Sequence, residues 1–122
     1  MKALIVDDSK ATRLILKKIL TEAGFKEFVE AAHGREALDR LAAGAPDLAL
    51  VDWNMPEMDG YELLCAIRGR RELDRMPIMM VTTETELEQV TRALSAGANE
   101  YVMKPFSSDI IRDKLALLGI GG

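Results

Sequence analysis

Four short, largely apolar segments of the chain each end in residues that can take part in ionic or proton chemistry. In chain order, these ends carry Asp7-Asp8, Asp52, Thr82-Thr83 and Lys104-Pro105. Three carboxylates at close range repel one another, which raises at least one pKa and favours the binding of a cation. Oxygen ligands without histidine or cysteine suit a hard ion, so these ends predict a Mg²⁺ site.

A metal held by carboxylates beside a lysine and a hydroxyl is also suited to phosphoryl chemistry. The cation and Lys104 would neutralise phosphoryl oxygens, Thr82 would donate a hydrogen bond, and one aspartate would be the nucleophile. Acidic residues at strand ends also cap the helix that follows, and Asp8 or Ser9 could have only that role. Because residues suited to metal binding or phosphoryl chemistry stand at four strand ends, we favour a functional site over helix capping alone.

Two hydrophobic periodicities alternate along the chain and predict the elements that position these residues. Apolar runs without polar alternation predict strands buried on both faces of a parallel sheet. These runs are Ala3–Val6, Leu48–Val51 and Ile78–Val81, with weaker candidates at Glu27–Glu30 and Glu100–Val102. Helical stripes lie between them. The first stripe comprises Ile15, Leu16, Ile19, Leu20 and Ala23. The third and fourth helices are predicted to begin at capping boxes, formed by Asp59 with Glu62 and by Thr85 with Glu88. Ser107 or Ser108 opens the last helix.

Five β-α repeats predict an α/β fold with helices on both faces of a parallel sheet. The commonest five-stranded solution is the order 2-1-3-4-5, a flavodoxin-like three-layer (βα)5 architecture with its switch point between strands 1 and 3. Strands 1, 3, 4 and 5 are then neighbours. Their carboxyl ends would bring Asp7, Asp8, Asp52, Thr82 and Lys104 to one edge.

Length and composition set the class of protein. The 122 residues suit one domain over residues 1–122, and 48% apolar with 30% charged residues is an ordinary soluble balance. No apolar run is long enough to span a membrane, and the N-terminus is unlike a signal peptide. The single cysteine, Cys65, excludes a disulfide framework within the chain and suits a reducing, cytoplasmic setting. We expect Cys65 in the core and Arg68 on a solvated face.

Net charge argues against one class of partner. Sixteen basic and twenty acidic residues give −4, which argues against a nucleic-acid interface, since such a surface needs basic excess.

Taken in order, the motifs resemble those of the receiver domains of two-component response regulators, most closely the chemotaxis type. The resemblance covers essentially the whole chain. It rests on Asp7-Asp8, Val51-Asp52-Trp53-Asn54-Met55-Pro56 followed by Asp59-Gly60, Val81-Thr82, and Tyr101-Val102-Met103-Lys104-Pro105-Phe106. The resemblance also suggests a cis peptide before Pro105, and it suggests that Pro56 and Gly60 shape the loop over the site.

The resemblance implies a role for each site residue. Asp52 would accept the phosphoryl group from a phosphohistidine of a sensor histidine kinase, or from small acyl phosphates. Asp8, Asp52 and the backbone carbonyl of Asn54 would bind Mg²⁺ directly, and Asp7 mainly through water. Lys104 would pair with the phosphoryl group. Thr82 would move toward it, and Tyr101 would follow inward as the second part of a two-state switch.

The resemblance further implies regulation and output. Asn54 and Glu84 occupy the positions that tune dephosphorylation, and their pairing predicts a rapid reset, although Thr83 stands where many relatives have alanine. The output face would comprise helix 4, strand 5 and helix 5. Its residues here are Glu86, Leu87, Val90, Leu94, Tyr101 and Lys114. The partner would be a flagellar motor switch or another chemotaxis component, although Glu86-Leu87 differs from the basic pair of enteric regulators.

Two other interpretations stay open at this point. The chain could be a receiver excised from a longer regulator with a DNA-binding or enzymatic output domain. Alternatively, it could be a Mg²⁺-dependent phosphatase with an aspartate nucleophile, of the haloacid dehalogenase type, although that family has Asp-x-Asp after its first strand. We favour a signalling switch, whose only chemistry is its own phosphorylation and dephosphorylation, over an enzyme.

Overall fold

In the part of the chain that the structure describes, five strands alternate with five helices, as the two periodicities predict. The computed structural model describes residues 1–83 and 87–120. The strands are β1 (Lys2–Val6), β2 (Glu27–Ala31), β3 (Leu48–Asp52), β4 (Ile78–Thr82) and β5 (Glu100–Met103). The helices are α1 (Lys10–Glu22), α2 (Gly34–Leu41), α3 (Gly60–Arg68), α4 (Leu87–Ser95) and α5 (Ser108–Leu117), with a short 3₁₀ helix at Arg71–Leu73. Within the described ranges, every helix is too short or too polar to cross a bilayer.

The strands form one parallel sheet in the order β2-β1-β3-β4-β5, which confirms the predicted topology. Every residue of β3 and β4 is buried, because apolar side chains from helices cover both faces of the sheet. One core cluster joins the sheet to α2, α3 and α4, and the other joins it to α1 and α5. The chain leaves β1 and β3 toward opposite faces, which opens a crevice at their carboxyl ends.

Local hydrogen bonds at the helix starts explain where three of the helices begin. The Ser9 hydroxyl accepts a hydrogen bond from the backbone N–H of Thr12, 3.2 Å away, so Ser9 rather than Asp8 caps α1. The predicted capping box of Asp59 and Glu62 opens α3, and Ser107 caps α5. Thr85, of the other predicted capping box, lies outside the described residues.

Three expectations about burial are wrong. Ile15 is 55% exposed, because the buried stripe of α1 is narrower than predicted and consists of Leu16, Ile19 and Leu20. Cys65 is exposed as well, because α3 turns Leu63, Leu64 and Ile67 toward the sheet.

The third wrong expectation concerns Arg68. Its guanidinium donates hydrogen bonds to backbone carbonyls instead of lying on a solvated face. Its Nε donates to the carbonyl of Gly97 at 2.9 Å, and its Nη2 donates to the carbonyl of Met76 at 2.8 Å. Gly97 leaves the space that this side chain fills, since a Cβ there would lie 2.8 Å from the Arg68 Cγ. Arg68 therefore fastens α3 to the amino end of β4 and to the α4–β5 turn.

Candidate functional site

An acidic cluster with one lysine against it occupies the carboxyl edge of the sheet. Ligand oxygens of Asp7, Asp8 and Asp52 all lie within 4.8 Å of one another. Lys104 Nζ lies 3.0 Å from Asp7 Oδ2 and 3.2 Å from Asp52 Oδ1. Asp7 and Asp52 are buried, whereas Asp8 is exposed. The tertiary structure thus brings together the four charged residues that the sequence predicts at this edge.

Backbone contacts hold Asp7 in place. Its Oδ1 accepts a hydrogen bond from the N–H of Ser9 at 2.8 Å, and its own N–H donates to the carbonyl of Ala31 at 3.1 Å. Arg13 Nη1 donates to the Asp7 carbonyl at 2.6 Å, while Arg13 Nε pairs with Glu30 at 3.1 Å. One face of α1 and the adjacent strand β2 therefore fix the main chain that carries this carboxylate.

The segment after Asp52 is held by the start of α3. The N–H of Trp53 donates to the carbonyl of Val81 at 3.2 Å, and the N–H of Gly60 donates to the carbonyl of Trp53 at 2.8 Å. A Cβ at Gly60 would lie 2.3 Å from the Asp52 carbonyl oxygen and 2.7 Å from the Trp53 Cα. Close approach of two backbones, rather than an unusual φ, is what requires glycine at this position.

Burial and charge perturb the titration of the cluster. Burial raises the pKa of Asp52, and the nearby Asp7 carboxylate raises it further, against the opposing effect of Lys104. Burial by itself would lower the pKa of Lys104, but hydrogen bonds and charge from Asp7 and Asp52 outweigh it, so the pKa is raised. Three acidic side chains thus lie beside one lysine, and a bound cation would relieve the repulsion between the carboxylates.

Thr82 and Tyr101, the predicted switch residues, lie on neighbouring strands. Thr82 is buried at the end of β4, and its carbonyl accepts the backbone N–H of Lys104 at 2.7 Å. Tyr101 is half-buried on β5, paired in register with Met80, and Lys114 Nζ lies 5.0 Å from the centre of its ring. The peptide before Pro105 is cis, as the resemblance suggests.

Asn54 and Thr83 meet at the exposed mouth of the site. Asn54 Nδ2 donates to Thr83 Oγ1 at 2.8 Å, and both residues are exposed. Glu84, the second predicted tuning residue, lies outside the described residues.

The predicted output face is described in part. Leu94 is 43% exposed on α4, and Lys114 forms an ion pair of 3.0 Å with Glu100. Val90 is buried, so it supports this face from beneath instead of being available on it. Leu87 begins α4, and Glu86 lies outside the described residues.

Sequence reasoning did not assign three contributions to the site: the N–H of Ser9, the Arg13 guanidinium and the hydroxyl of Thr83. The Asp7-x-Ser9 spacing carries a local signal, because aspartate commonly accepts a hydrogen bond from the N–H two residues on. Arg13 and the bond between Thr83 and Asn54 carry no such signal, since they depend on how separate elements pack.

Comparison with known proteins agrees with this geometry. The family model described as "Response regulator receiver domain" matches residues 3–116. A Campylobacter jejuni protein named "Chemotaxis protein CheY homolog" is 46% identical over 99% of this chain and 95% of its own length. "Chemotaxis protein CheY1" of Helicobacter pylori is 42% identical over 97% of this chain and 96% of its own length.

Solved structures show the same fold. The chemotaxis response regulator CheY4 of Vibrio cholerae superimposes with a TM-score of 0.88 at 36% identity, over 96% of this chain and 97% of that one. The receiver-domain protein of Methanospirillum hungatei, described as CheY-like, gives 0.85 at 35% identity, over 96% of this chain and 91% of that one.

Proposed function

The chain belongs to the response regulator receiver family and is of the CheY type, and from this we propose that Asp52 is its phospho-acceptor within a single domain over residues 1–122. The observation that carries the proposal is the position of Asp52. Its carboxylate is buried at the end of β3, with one oxygen 3.2 Å from Lys104 Nζ and with Asp7 and Asp8 alongside. A carboxylate held between a cation and a potential metal site suits nucleophilic attack on a phosphoryl group.

In the proposed reaction, an oxygen of Asp52 forms a bond to the phosphorus of a phosphohistidine on a sensor histidine kinase. The phosphorus–nitrogen bond breaks, and the imidazole leaves. Lys104 already donates to Asp52 Oδ1, so its ammonium stands where it can pair with a new phosphoryl oxygen. Thr82, one strand across, would donate its hydroxyl to a second oxygen.

Mg²⁺ fits the donor set. The three carboxylates offer only oxygen ligands. They repel one another, and Lys104, which contacts the buried Asp7 and Asp52, offsets this repulsion only in part, so the site favours a divalent ion. We assign its direct ligands to Asp8, Asp52 and the backbone carbonyl of Asn54, with Asp7 acting mainly through water. When bound, the ion would neutralise charge on the transferring phosphoryl group.

The phosphorylated chain would act by binding a partner. Thr82 would move toward the phosphoryl group and Tyr101 would follow, changing the face of α4, β5 and α5 that includes Leu94 and Lys114. Relatives are named as chemotaxis proteins, so we propose a cytoplasmic signalling switch that controls a flagellar motor switch or another chemotaxis component. The family match does not favour an aspartate-nucleophile phosphatase.

Trp53 provides the test, because it is the only tryptophan and follows Asp52 directly. Its emission would be recorded during addition of Mg²⁺ and then of beryllium fluoride, a phosphoryl mimic. We expect a saturable response to Mg²⁺ and a second change that requires Mg²⁺. Asp52→Asn should lose the second change, whereas Asp39→Asn, which removes an exposed carboxylate on α2, should keep both. A wild-type chain that responds to neither addition would refute the proposal.

A further inference from the structure

Three side chains from separate parts of the chain form a continuous stack beside the proposed phospho-acceptor. Trp53, which follows Asp52, is buried, and the centroid of its indole lies 5.8 Å from that of the Tyr61 ring, with 28° between the two planes. The Cζ of Arg92 lies 4.2 Å from the centroid of the same Tyr61 ring. The stack therefore runs from the residue after β3, through the first turn of α3, to α4.

Both contacts of the Tyr61 ring are attractive. Two aromatic rings at this separation gain energy beyond that of apolar burial, and a guanidinium is attracted to the electron-rich face of a ring. Arg92 is exposed, and its Nη1 also donates to Oε1 of Gln89 at 3.4 Å, one turn earlier on α4. The guanidinium is thus held from two sides.

Arg92 matters because few other side chains attach α4 to the rest of the molecule. Of the α4 side chains that the structure describes, Val90 and Ala93 are the buried ones, and neither is larger than valine. Two such side chains bury little apolar surface, so one cation–π contact is a sizeable part of the attachment. Arg92 fastens α4 to the same ring that packs on Trp53.

The other end of the stack is fixed to the main chain that carries Asp52. The N–H of Trp53 donates to the carbonyl of Val81 at 3.2 Å, and the Trp53 carbonyl accepts the N–H of Gly60 at 2.8 Å. These two bonds hold the Trp53 backbone, and Tyr61 holds its indole. A tilt of the indole would turn the peptide that joins it to Asp52, whose carboxylate must meet phosphorus in line with the bond that breaks.

We propose that Arg92 is a positioning residue for Asp52, acting from α4 through the rings of Tyr61 and Trp53. This inference rests on the proposed role of Asp52 as phospho-acceptor. The cation holds the Tyr61 ring, the ring holds the Trp53 indole, and the indole limits the movement of the Asp52 main chain. The stack thus acts on the geometry of the nucleophile and not on the charge of the phosphoryl group.

The rate of phosphorylation by acetyl phosphate in the presence of Mg²⁺ tests this proposal. In that reaction an oxygen of Asp52 forms a bond to phosphorus, the bond between phosphorus and the acetyl oxygen breaks, and acetate leaves. The observed rate rises with the concentration of acetyl phosphate, so its slope measures phosphorylation and its intercept measures hydrolysis. Quenched samples are resolved on phosphate-affinity gels, which keeps the readout independent of Trp53 emission.

Four variants separate the contacts of the stack from other effects. A cation–π contact at an exposed site corresponds to roughly 2- to 5-fold in rate, so we expect the slope of Arg92→Met to be lower by about that factor. Tyr61→Leu removes both contacts and should lower the slope at least as much. Tyr61→Phe keeps the ring and should retain the wild-type slope. Arg40→Met removes an exposed arginine from the last turn of α2, and this matched control should retain the wild-type slope as well.

Two further measurements test whether the effect passes through Tyr61. In a Tyr61→Leu background, Arg92→Met should have no additional effect on the slope, as a double-mutant cycle requires of one shared interaction. In metal-free protein, Arg92→Met should shift the NMR resonance of the Trp53 indole N–H. The same substitution should leave that resonance unchanged in the Tyr61→Leu background.

The outcomes distinguish this inference from the proposed function. Failure of the wild-type chain to be phosphorylated, with a silent Trp53 response, would refute the proposed function and this inference with it. A phosphorylated wild type whose slope equals that of Arg92→Met would overturn the inference alone, even if urea unfolding showed the variant to be less stable. A slope in Tyr61→Phe as low as that in Tyr61→Leu would also overturn it, because the hydroxyl and not the ring would then be responsible.

Discussion

Replacing Gly60 by alanine tests the packing that positions Asp52. Within a helix, alanine is ordinarily more stable than glycine by about 0.5–1 kcal/mol, because glycine loses more backbone entropy on folding. Gly60 is the first residue of α3, so alanine should be favourable there on helix propensity alone. The tertiary contacts of Gly60 predict instead that alanine lowers the stability of the folded chain.

The magnitude follows from the distances. A Cβ at residue 60 would lie 2.3 Å from the Asp52 carbonyl oxygen, 2.7 Å from the Trp53 Cα and 2.9 Å from the Asp52 carbonyl carbon. Ordinary contact begins near 3.4 Å, so α3 and the end of β3 must separate by about 1 Å. The obstacle is backbone and cannot rotate away. Overpacking of this kind costs about 1–3 kcal/mol, and a backbone obstacle places the cost near the upper end. After the gain of about 0.5–1 kcal/mol from helix propensity, we expect a net loss of about 2 kcal/mol.

Gly69 provides the matched control, just beyond the other end of α3. It follows the last residue of α3 with φ of −79°, and the nearest atom to its would-be Cβ is the Ala66 carbonyl oxygen at 3.4 Å. Gly69→Ala should therefore stabilise the chain by about 0.4–1 kcal/mol, through the unfolded state.

Urea unfolding followed by circular dichroism, in EDTA, measures both variants. With a slope of about 1–3 kcal/mol per molar urea, the midpoint of Gly60→Ala should fall by roughly 1 M, while that of Gly69→Ala should rise slightly. Gly60→Ala should also be phosphorylated more slowly, because the main chain of Asp52 has moved. A Gly60→Ala variant as stable as wild type would refute the steric reasoning. If Gly60→Ala and Gly69→Ala lowered the urea midpoint equally, the loss would not be specific to the contacts of Gly60.

Three other perturbations test the charges and contacts described above. Burial, and then the charge of Asp7, raise the pKa of Asp52, so the folded chain binds the proton of this carboxyl group more tightly than the unfolded chain does. In urea unfolding with EDTA, wild type should therefore lose stability relative to Asp52→Asn as the pH rises from about 4 through the raised pKa. A difference in stability between the two chains that does not change with pH would contradict this. Lys104→Met leaves two buried carboxylates without their shared donor, so it should lower the free energy of unfolding by about 1–3 kcal/mol at pH 7. The loss should become smaller as the pH is lowered, because Asp52, whose pKa is raised, then takes up a proton. Arg68→Met should lower thermal stability by about 2–3 kcal/mol, since backbone carbonyls lose their donor, yet leave the Mg²⁺ response of Trp53 unchanged because it acts at the opposite edge of the sheet.

Much of the fold could be predicted because its determinants are local or periodic. Apolar runs without alternation identify β1, β3 and β4 as buried parallel strands, and the capping box at Asp59 marks the start of α3. Periodicity failed where a helix has more apolar residues than its buried stripe can hold. Ile15 is such a residue, because what packs over a helix, and not its own pattern, decides which borderline positions are covered.

The positions of the strand ends in the sequence also indicate which residues can meet. Asp7, Asp52, Thr82 and Lys104 each stand at or just beyond a strand end, and the rules of parallel sheets send such ends to one edge. How these residues meet depends on tertiary packing. Lys104 bridges Asp7 and Asp52, which are both buried whereas Asp8 is exposed. The side chain of Asn54 donates a hydrogen bond to that of Thr83. These contacts join residues far apart in the chain, and their distances depend on the packing of helices and loops around the edge, which no local pattern encodes.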